Sequence, residues 1–358
     1  MDCVIPQHSV RMFCAAIGAC SKIGKDLYVD FDAIEGLSLR ALNEAKSAYV
    51  CYKFHPTFFE RCTAPPLGIL ESVSRKRGRS KQSTVADSED DDDEGTTTND
   101  ENRLTCRLAI KALAAAVRQR KNVQSLRLYA EQVSSSLHLS FEYLLSPSAF
   151  DDDDGTTCWR VVHRVPVADF PVNVVSAVAS RAGASEMTVT PRTLCRLLEP
   201  LSRQAETAWV IPSPQYENQM IATCFQHQAA AGSAGLSSNK NALWTSHLQT
   251  EMRLSYDDLD EMEFVDNRDE DDEELDLPDH VNESIVLVFS HREAKAILSW
   301  AASSAGLDIA CPVVRLLFHW GGRPLVLEQQ TEEWKVELVL ATLDHKLLGN
   351  TNDTSSHA

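Results

Sequence analysis

A chain of 358 residues, 43% of them hydrophobic, is long enough for two domains with their own cores, which excludes a disordered tail with short ordered islands. It holds no run near the ~20 apolar residues of a membrane helix, and its start lacks the charge and apolar stretch of a signal peptide, so it reads as intracellular. Its ten cysteines stand singly with no Cys-x-x-Cys, which favours reduced, mostly buried thiols over a disulfide frame or a zinc site.

The net charge of −18 is unevenly spread. Residues 89–101, 151–154 and 257–276 together hold 25 acids and one basic residue, Arg268, a net −24 that leaves the rest of the chain at +6. Like charges this dense repel one another and read as solvated loops beside mildly basic ordered parts.

In chain order, a short strand is followed by a helical pattern over residues 8–22, with Val10, Phe13, Ala16, Ile17 and Cys20 at helical spacing. Three strand-like runs follow at 27–31, 37–42 and 48–54, the first two separated by the turn residues Asp32 and Gly36. Residues 66–103 form a first insertion, basic and then acidic, with nothing to bury a core face, and are expected to be a flexible loop. The composition of 104–119 predicts a second helix, followed by strands near 123–131, 136–145 and 159–166 around an acidic loop at 146–157.

The pattern then restarts. A strand at 187–190 leads into a helix that begins at Pro191 and runs to 203, proline suiting a first helical turn. Strands follow at 206–212, 219–227 and 242–252, then an acidic insertion at 254–282 and a strand at 285–289. Ser290 caps a fourth helix over 291–305, and strands at 314–319, 324–328 and 335–343 close the ordered part before a short tail at 346–358. The layout is an internal repeat, a strand–helix–strands unit used four times, two per half. It gives an α+β chain with an N-terminal domain at 1–165, a linker at 166–185 and a C-terminal domain at 186–345.

Specific residues give this layout a family. Glu35-Gly36-Leu37-Ser38-Leu39-Arg40-Ala41-Leu42-Asn43, Ser47-Ala48-Tyr49-Val50-Cys51 and His55-Pro56-Thr57-Phe58-Phe59 resemble the large subunit of the heterotrimeric DNA-damage checkpoint clamp. So do Phe289-Ser290-His291-Arg292-Glu293, Leu298-Ser299-Trp300-Ala301, Gly322-Arg323-Pro324 and Val339-Leu340-Ala341-Thr342-Leu343. The chain thus resembles the Rad-nine family of the nine-one-one complex, in the PCNA-like sliding-clamp superfamily. The resemblance implies a two-domain DNA clamp with helices lining the ring interior and sheets outside. It also implies two other clamp-like subunits as ring partners, opening by a clamp loader, and a nuclear platform for repair and checkpoint factors. The acidic insertions are longer, and the tail shorter, than that family's pattern.

A ring that slides must attract phosphates without reading bases. Arg107, Lys111 and Arg118 stand at offsets 0, 4 and 11, within about 40° of one another on a helix, and Arg192, Arg196 and Arg203 repeat those offsets. Arg11 and Lys22 are also eleven apart, and the fourth helix offers Arg292 and Lys295. With the resemblance, these ten read as a sequence-independent surface for double-stranded DNA; taken alone they suit an ordinary solvated helix face better.

Other features carry two readings each. Arg75, Lys76, Arg77, Arg79 and Lys81 are either a nuclear-import signal or a loop that balances the acid beside it. Ser88, followed by three acids, is a candidate for an acid-directed kinase. Phe170, Val174 and Val175 lie in the linker beside which clamps bind partner peptides, or simply pack. The sequence holds no Gly-rich phosphate loop, Gly-x-Ser-x-Gly elbow or His-Glu-x-x-His helix, and its acid runs lack the glycine of a calcium loop. No enzyme activity, cofactor or metal is therefore expected, including the nuclease activity ascribed to the family. A homotrimeric replication clamp and an acidic histone-type chaperone are the alternatives.

Overall fold

The computed structural model describes residues 1–63, 103–117, 122–133, 136–145, 159–201, 206–225, 250–265, 284–304 and 313–344. Two compact units emerge: Met1–Leu42, Cys51–Ser176 and Thr331–Lys335 form the first, and Asn43–Val50, Ala177–Gln330 and Val336–Ala358 the second. The expected loop at 146–157, nearly all of that at 66–103 and the tail at 346–358 lie outside the described residues, as do Arg118, Arg203, the basic cluster at 75–81 and Ser88.

The first unit begins β1 (Asp2–Pro6), α1 (Gln7–Ile23), β2 (Asp26–Asp32), β3 (Gly36–Leu42), β4 (Ala48–Phe54) and β5 (Arg61–Thr63). It continues β6 (Arg103–Ala109), α2 (Ile110–Ala116), β7 (Val123–Val133), β8 (Ser136–Leu145) and β9 (Trp159–Pro166). One antiparallel sheet runs β5-β1-β7-β8-β9, and the strands β6, β2, β3 and β4 lie side by side in another. The apolar side of α1, built on Val10, Phe13, Ile17 and Cys20, is buried against β1, β3 and β7. Phe13, Phe54 and Phe58 meet there, with ring centroids 5.3 Å and 4.6 Å apart from Phe13 to Phe54 and from Phe54 to Phe58. Burying each such ring contributes about 1.5–3 kcal/mol.

The helix expected over 104–119 is corrected: its first part is the strand β6, and α2 has only seven residues. Leu104, Cys106 and Leu108 are buried while their neighbours Arg103, Thr105 and Arg107 are not, which is the period of a strand. The alanines of 112–116 raise helix propensity over the whole window and hide that alternation.

In the second unit β10 (Ser185–Val189), α3 (Pro191–Leu198), β11 (Glu206–Pro212), β12 (Gln219–Phe225), β13 (Glu251–Ser255) and β14 (Glu261–Glu263) come first. Then follow β15 (Ser284–Ser290), α4 (His291–Ser304), β16 (Val314–Phe318), β17 (Leu325–Gln330) and β18 (Trp334–Leu340). One sheet runs β13-β12-β11-β15; β14, β10, β16, β17 and β18 line up in another. Trp209 and Phe289, both buried, meet edge-on with centroids 4.9 Å apart.

Several boundaries differ from expectation; the strand expected over 242–252 is described as β13 at Glu251–Ser255, with residues 242–249 outside those described. The helix predicted to reach 203 stops at Leu198 with Glu199 as its cap, because Pro200 has no N–H to continue the ladder. The acidic insertion expected from 254 begins later. Residues 254–265 are structured: Tyr256 donates to the carbonyl of Pro212 at 2.5 Å, and β14 pairs with β10 through Met187 opposite Met262. Glu186 and Glu263 also face each other in that pairing, and the Arg315 guanidinium on Glu186 offsets their repulsion.

Two tests of local structure follow. Thr190 accepts a hydrogen bond from the Thr193 N–H at the start of α3. Thr190→Ala should destabilise the fold by about 1 kcal/mol, readable as a lower denaturant midpoint with unchanged slope. Asp2 accepts from Arg127 at 2.8 and 2.9 Å and from Arg61 at 2.9 Å. Chiefly through the hydrogen bond from Arg127, its carboxyl titrates below the usual carboxylate range. A depressed folded-state pKa stabilises above the unfolded pKa and is lost as pH falls through the folded value. Below about pH 4 the thermal midpoint should therefore fall more steeply for the parent than for Asp2→Asn.

Candidate nucleic-acid interface

Each unit presents a pair of helices, and their exposed faces share a composition. On α1, Arg11 and Lys22 are exposed, with the small Ala15 and Gly18 half-buried between them on the same stripe. α2 packs beside α1 and exposes Lys111. In the second unit α3 packs on α4, exposing Arg192 and Arg196 from one helix and Arg292 from the other, with Lys295 half-exposed. The Cys195 thiol sits in the α3–α4 seam, hydrogen-bonded with Ser299 and close to Lys295; burial is the main reason its pKa is raised. Lys295 of α4 thus lies close to Cys195, the residue beside Arg196 on α3.

The acids are elsewhere. Neither α1 nor α2 contains an Asp or Glu. Glu293 of α4 is buried and accepts from Ser290 at the helix start, and Glu199 at the end of α3 is the exposed acid on these faces. Among the described residues, Arg11, Lys22, Lys111, Arg192, Arg196, Arg292 and Lys295 have no carboxylate within ion-pair distance.

The strands behave in the opposite way. Every described arginine on a strand is ion-paired: Arg40 and Arg103 share the buried Asp30 at 3.0 and 2.9 Å, and Arg61 and Arg127 share Asp2. Arg160 meets Glu142, Arg164 meets Glu131, Arg253 meets Glu251 and Arg315 meets Glu186. Arg107 belongs to this class too. It lies on β6, within 3.3 Å of Asp26 and 3.8 Å of Asp169, and so does not share a helical stripe with Lys111. Cationic charge is thus neutralised on the sheets and left available on the helices. An anionic polymer with regularly spaced phosphates and no required base contact suits such a surface.

The linker residues are held to the first unit's sheet. Arg107 and residues 168–169 exchange backbone hydrogen bonds of 2.8 and 3.0 Å, the Val172 N–H reaches Thr105 Oγ1 at 3.3 Å, and Arg40 donates to the Val175 carbonyl at 3.3 Å. Phe170, Val174 and Val175 are half-buried as a result, while Val178 is 93% exposed.

One feature was overlooked in the sequence. β9 and β13 are edge strands, each with no strand on its outer side among the described residues, and β9 opens with Trp159, 65% exposed. A bulky aromatic followed by an arginine at the exposed start of the strand was the available signal. Among the described residues, no cluster of three or more His, Cys, Asp or Glu could hold a metal ion.

Residues 13–144 match the Rad9 family. The fold is that of PCNA. The chain is similar to PCNA of Thermococcus kodakaraensis at a TM-score of 0.56 and 11% identity, over 95% of this chain and 99% of that one. It is also similar to a chain of the PCNA2–PCNA3 complex of Sulfolobus tokodaii, at a TM-score of 0.55 and 9% identity over 96% and 99%. A third similar structure is the PCNA of A. fulgidus with the C-terminal region of FEN-1 bound, at a TM-score of 0.52 and 10% identity over 95% and 97%. These likenesses give the chain the sliding-clamp fold, and within it residues 13–144 carry the Rad9 match.

Proposed function

We propose, from the Rad9 match and the PCNA-type fold, that this chain is one subunit of a heterotrimeric checkpoint ring that encircles duplex DNA. The ring acts in the nucleus, where a clamp loader opens it and repair and checkpoint factors dock on it. The observation that carries this reading is the division of charge: free cations on the helices, ion pairs on the strands. A ring whose inner wall is made of such helices meets phosphates with mobile Lys and Arg side chains. It holds them by counterion release and leaves the bases unread. No single interaction needs to be tight, because enclosure keeps the ring on its track. In this reading the chain is a scaffold without catalytic chemistry.

The edge strands supply a means of closure. An unpaired strand edge is a template for a strand of another chain, and a ring needs one such edge at each end of every subunit. β9 in the first unit and β13 in the second each offer such an edge among the described residues. A. fulgidus PCNA, similar in fold, binds the C-terminal region of FEN-1, and in this reading the linker segment around Phe170, Val174 and Val175 docks partner peptides here.

The test is purification of the tagged chain from its own cells, with and without DNA damage, followed by mass spectrometry of what accompanies it. Two further clamp-like chains and a loader are expected. A trimer of this chain alone would replace the proposal with a homotrimeric replication clamp. Histones in place of clamp chains would make it an acidic chaperone.

A further inference from the structure

Eight cysteines are described, all as thiols outside any disulfide, and two of them face each other across a strand pair. Cys3 of β1 and Cys62 of β5 are directly opposite in the antiparallel register, with Sγ atoms 3.5 Å apart. Cys3 is fully buried and Cys62 half-buried, so solvent reaches the pair from one side only. β5 is a three-residue strand at the edge of its sheet. Besides the strand pairing, the ion pair from Arg61 to Asp2 and the hydrogen bond from the Thr63 hydroxyl to the Asp2 carbonyl hold it in place. β5 ends at Thr63, where the sequence enters its long insertion.

We infer that Cys3 and Cys62 form a two-electron thiol oxidation site, which takes a hydroperoxide and closes to a reversible disulfide that staples β5 to β1. The roles of the two sulfurs differ. Cys62 is the accessible one, and the hydrogen bond from Cys3 lowers its pKa; the Cys3 thiol is pushed up by donating that bond and by burial. The Cys62 thiolate attacks one peroxide oxygen; the O–O bond breaks and the departing hydroxide takes a proton to become water. Sulfur is oxidised by two electrons to a sulfenic acid as the peroxide is reduced. Cys3 Sγ, already touching, then attacks the sulfenyl sulfur. The S–S bond forms, the S–O bond breaks, and hydroxide leaves with the Cys3 proton as a second water. The sum is two thiols and one hydrogen peroxide giving one disulfide and two waters.

The site differs from the chain's other buried thiols. The thiols of Cys14, Cys20 and Cys106 are each raised chiefly by burial, so none of them is the first thiolate to meet a peroxide; Cys3, buried likewise, acts only in the second step, on the sulfenyl sulfur it already touches. In a reducing compartment, a disulfide that forms between adjoining, partly exposed thiols is a sensing device and not a structural staple.

The test treats the reduced full-length chain with stoichiometric hydrogen peroxide, followed by non-reducing digestion and mass spectrometry. The expected result is a loss of two hydrogens in the intact mass, one crosslinked peptide pair joining Cys3 to Cys62, and full reversal by dithiothreitol. The oxidised form should also melt several degrees higher, because the crosslink removes freedom from the unfolded chain. Cys62→Ala should abolish both the crosslink and the shift; Cys3→Ser should leave Cys62 trapped as a sulfenic acid reactive to dimedone. Where Cys3→Ser does not fold, Cys62→Ala carries the comparison, because its position is half-exposed. A crosslink between any other pair, or over-oxidation of Cys62 without a crosslink, would overturn the inference.

Discussion

Replacing Arg192, Arg196, Arg292 and Lys295 together with alanine should lower the slope of log affinity for duplex DNA against log salt by roughly 3 to 4, at about 0.9 for each phosphate that is no longer neutralised. The four lie on the exposed faces of α3 and α4, with no carboxylate near them among the described residues, so each is free to displace a condensed counterion. Affinity at low salt should fall by one to several orders of magnitude, and equally for unrelated sequences, because no base is read. The matched control is Arg253→Ala with Arg315→Ala. These cations already sit on Glu251 and Glu186, and their removal should leave the slope unchanged within error. Fluorescence anisotropy over a salt series measures both. Equal reductions in the two sets would mean that charge is not divided between helices and strands as described, and that only net charge matters.

Gly36→Ala should destabilise the first unit by about 4 kcal/mol or more, a size that needs a specific mechanism, here a broken backbone requirement. Gly36 ends the turn between β2 and β3 at φ +94°, where a side chain is strained whatever the space around it. There is also no space: a Cβ at this position would lie 2.1 Å from the carbonyl oxygen of Phe54. That carbonyl belongs to the backbone of β4, whose Phe54 ring is held between Phe13 and Phe58, so β4 cannot retreat without opening the aromatic cluster. A fall of roughly 10 °C in the melting midpoint is expected. Gly18→Ala on α1 is the contrast. Nothing lies within 4 Å of its added Cβ, and a helical glycine replaced by alanine gains about 0.5–1 kcal/mol. If both variants melt alike, the close approach at Phe54 is not a constraint on the fold.

Much of this architecture was legible in the residues. Val10, Phe13, Ile17 and Cys20 mark α1 by their spacing, and Pro191 and Ser290 mark the starts of α3 and α4. Of the basic offsets, Arg192 and Arg196 are both exposed on α3, Arg107 lies on a strand, and Arg118 and Arg203 lie outside the described residues. Three things were not legible, each for its own reason. The β6–α2 boundary failed because propensity was averaged across a run in which Leu104, Cys106 and Leu108 alternate and Ala112 to Ala116 do not. β14 was hidden because its two glutamates sit in an acidic stretch and only Met262 hints at a buried side. Pairing was invisible in principle: Arg107 and Lys111 look alike in one dimension, yet one faces two carboxylates and the other none among the described residues. The meeting of Cys3 and Cys62 likewise depends on a register that no spacing reveals.

The position of β1 between β5 and β7 governs how the first unit is born. Residues Asp2 to Pro6 find their longest partner in the segment from Ser125 to Tyr129, so the two ends of that pairing leave the ribosome far apart in time. At about 5–20 residues per second, making the roughly sixty residues between β5 and β7 takes on the order of 3–12 s. During that interval β1 has only the three-residue β5 beside it, and Cys3 and Ile5, both 0% exposed in the finished fold, lack the cover of β7. The pace of synthesis through the long insertion, more than any local propensity, therefore sets how long a sticky strand edge stays open on the nascent chain.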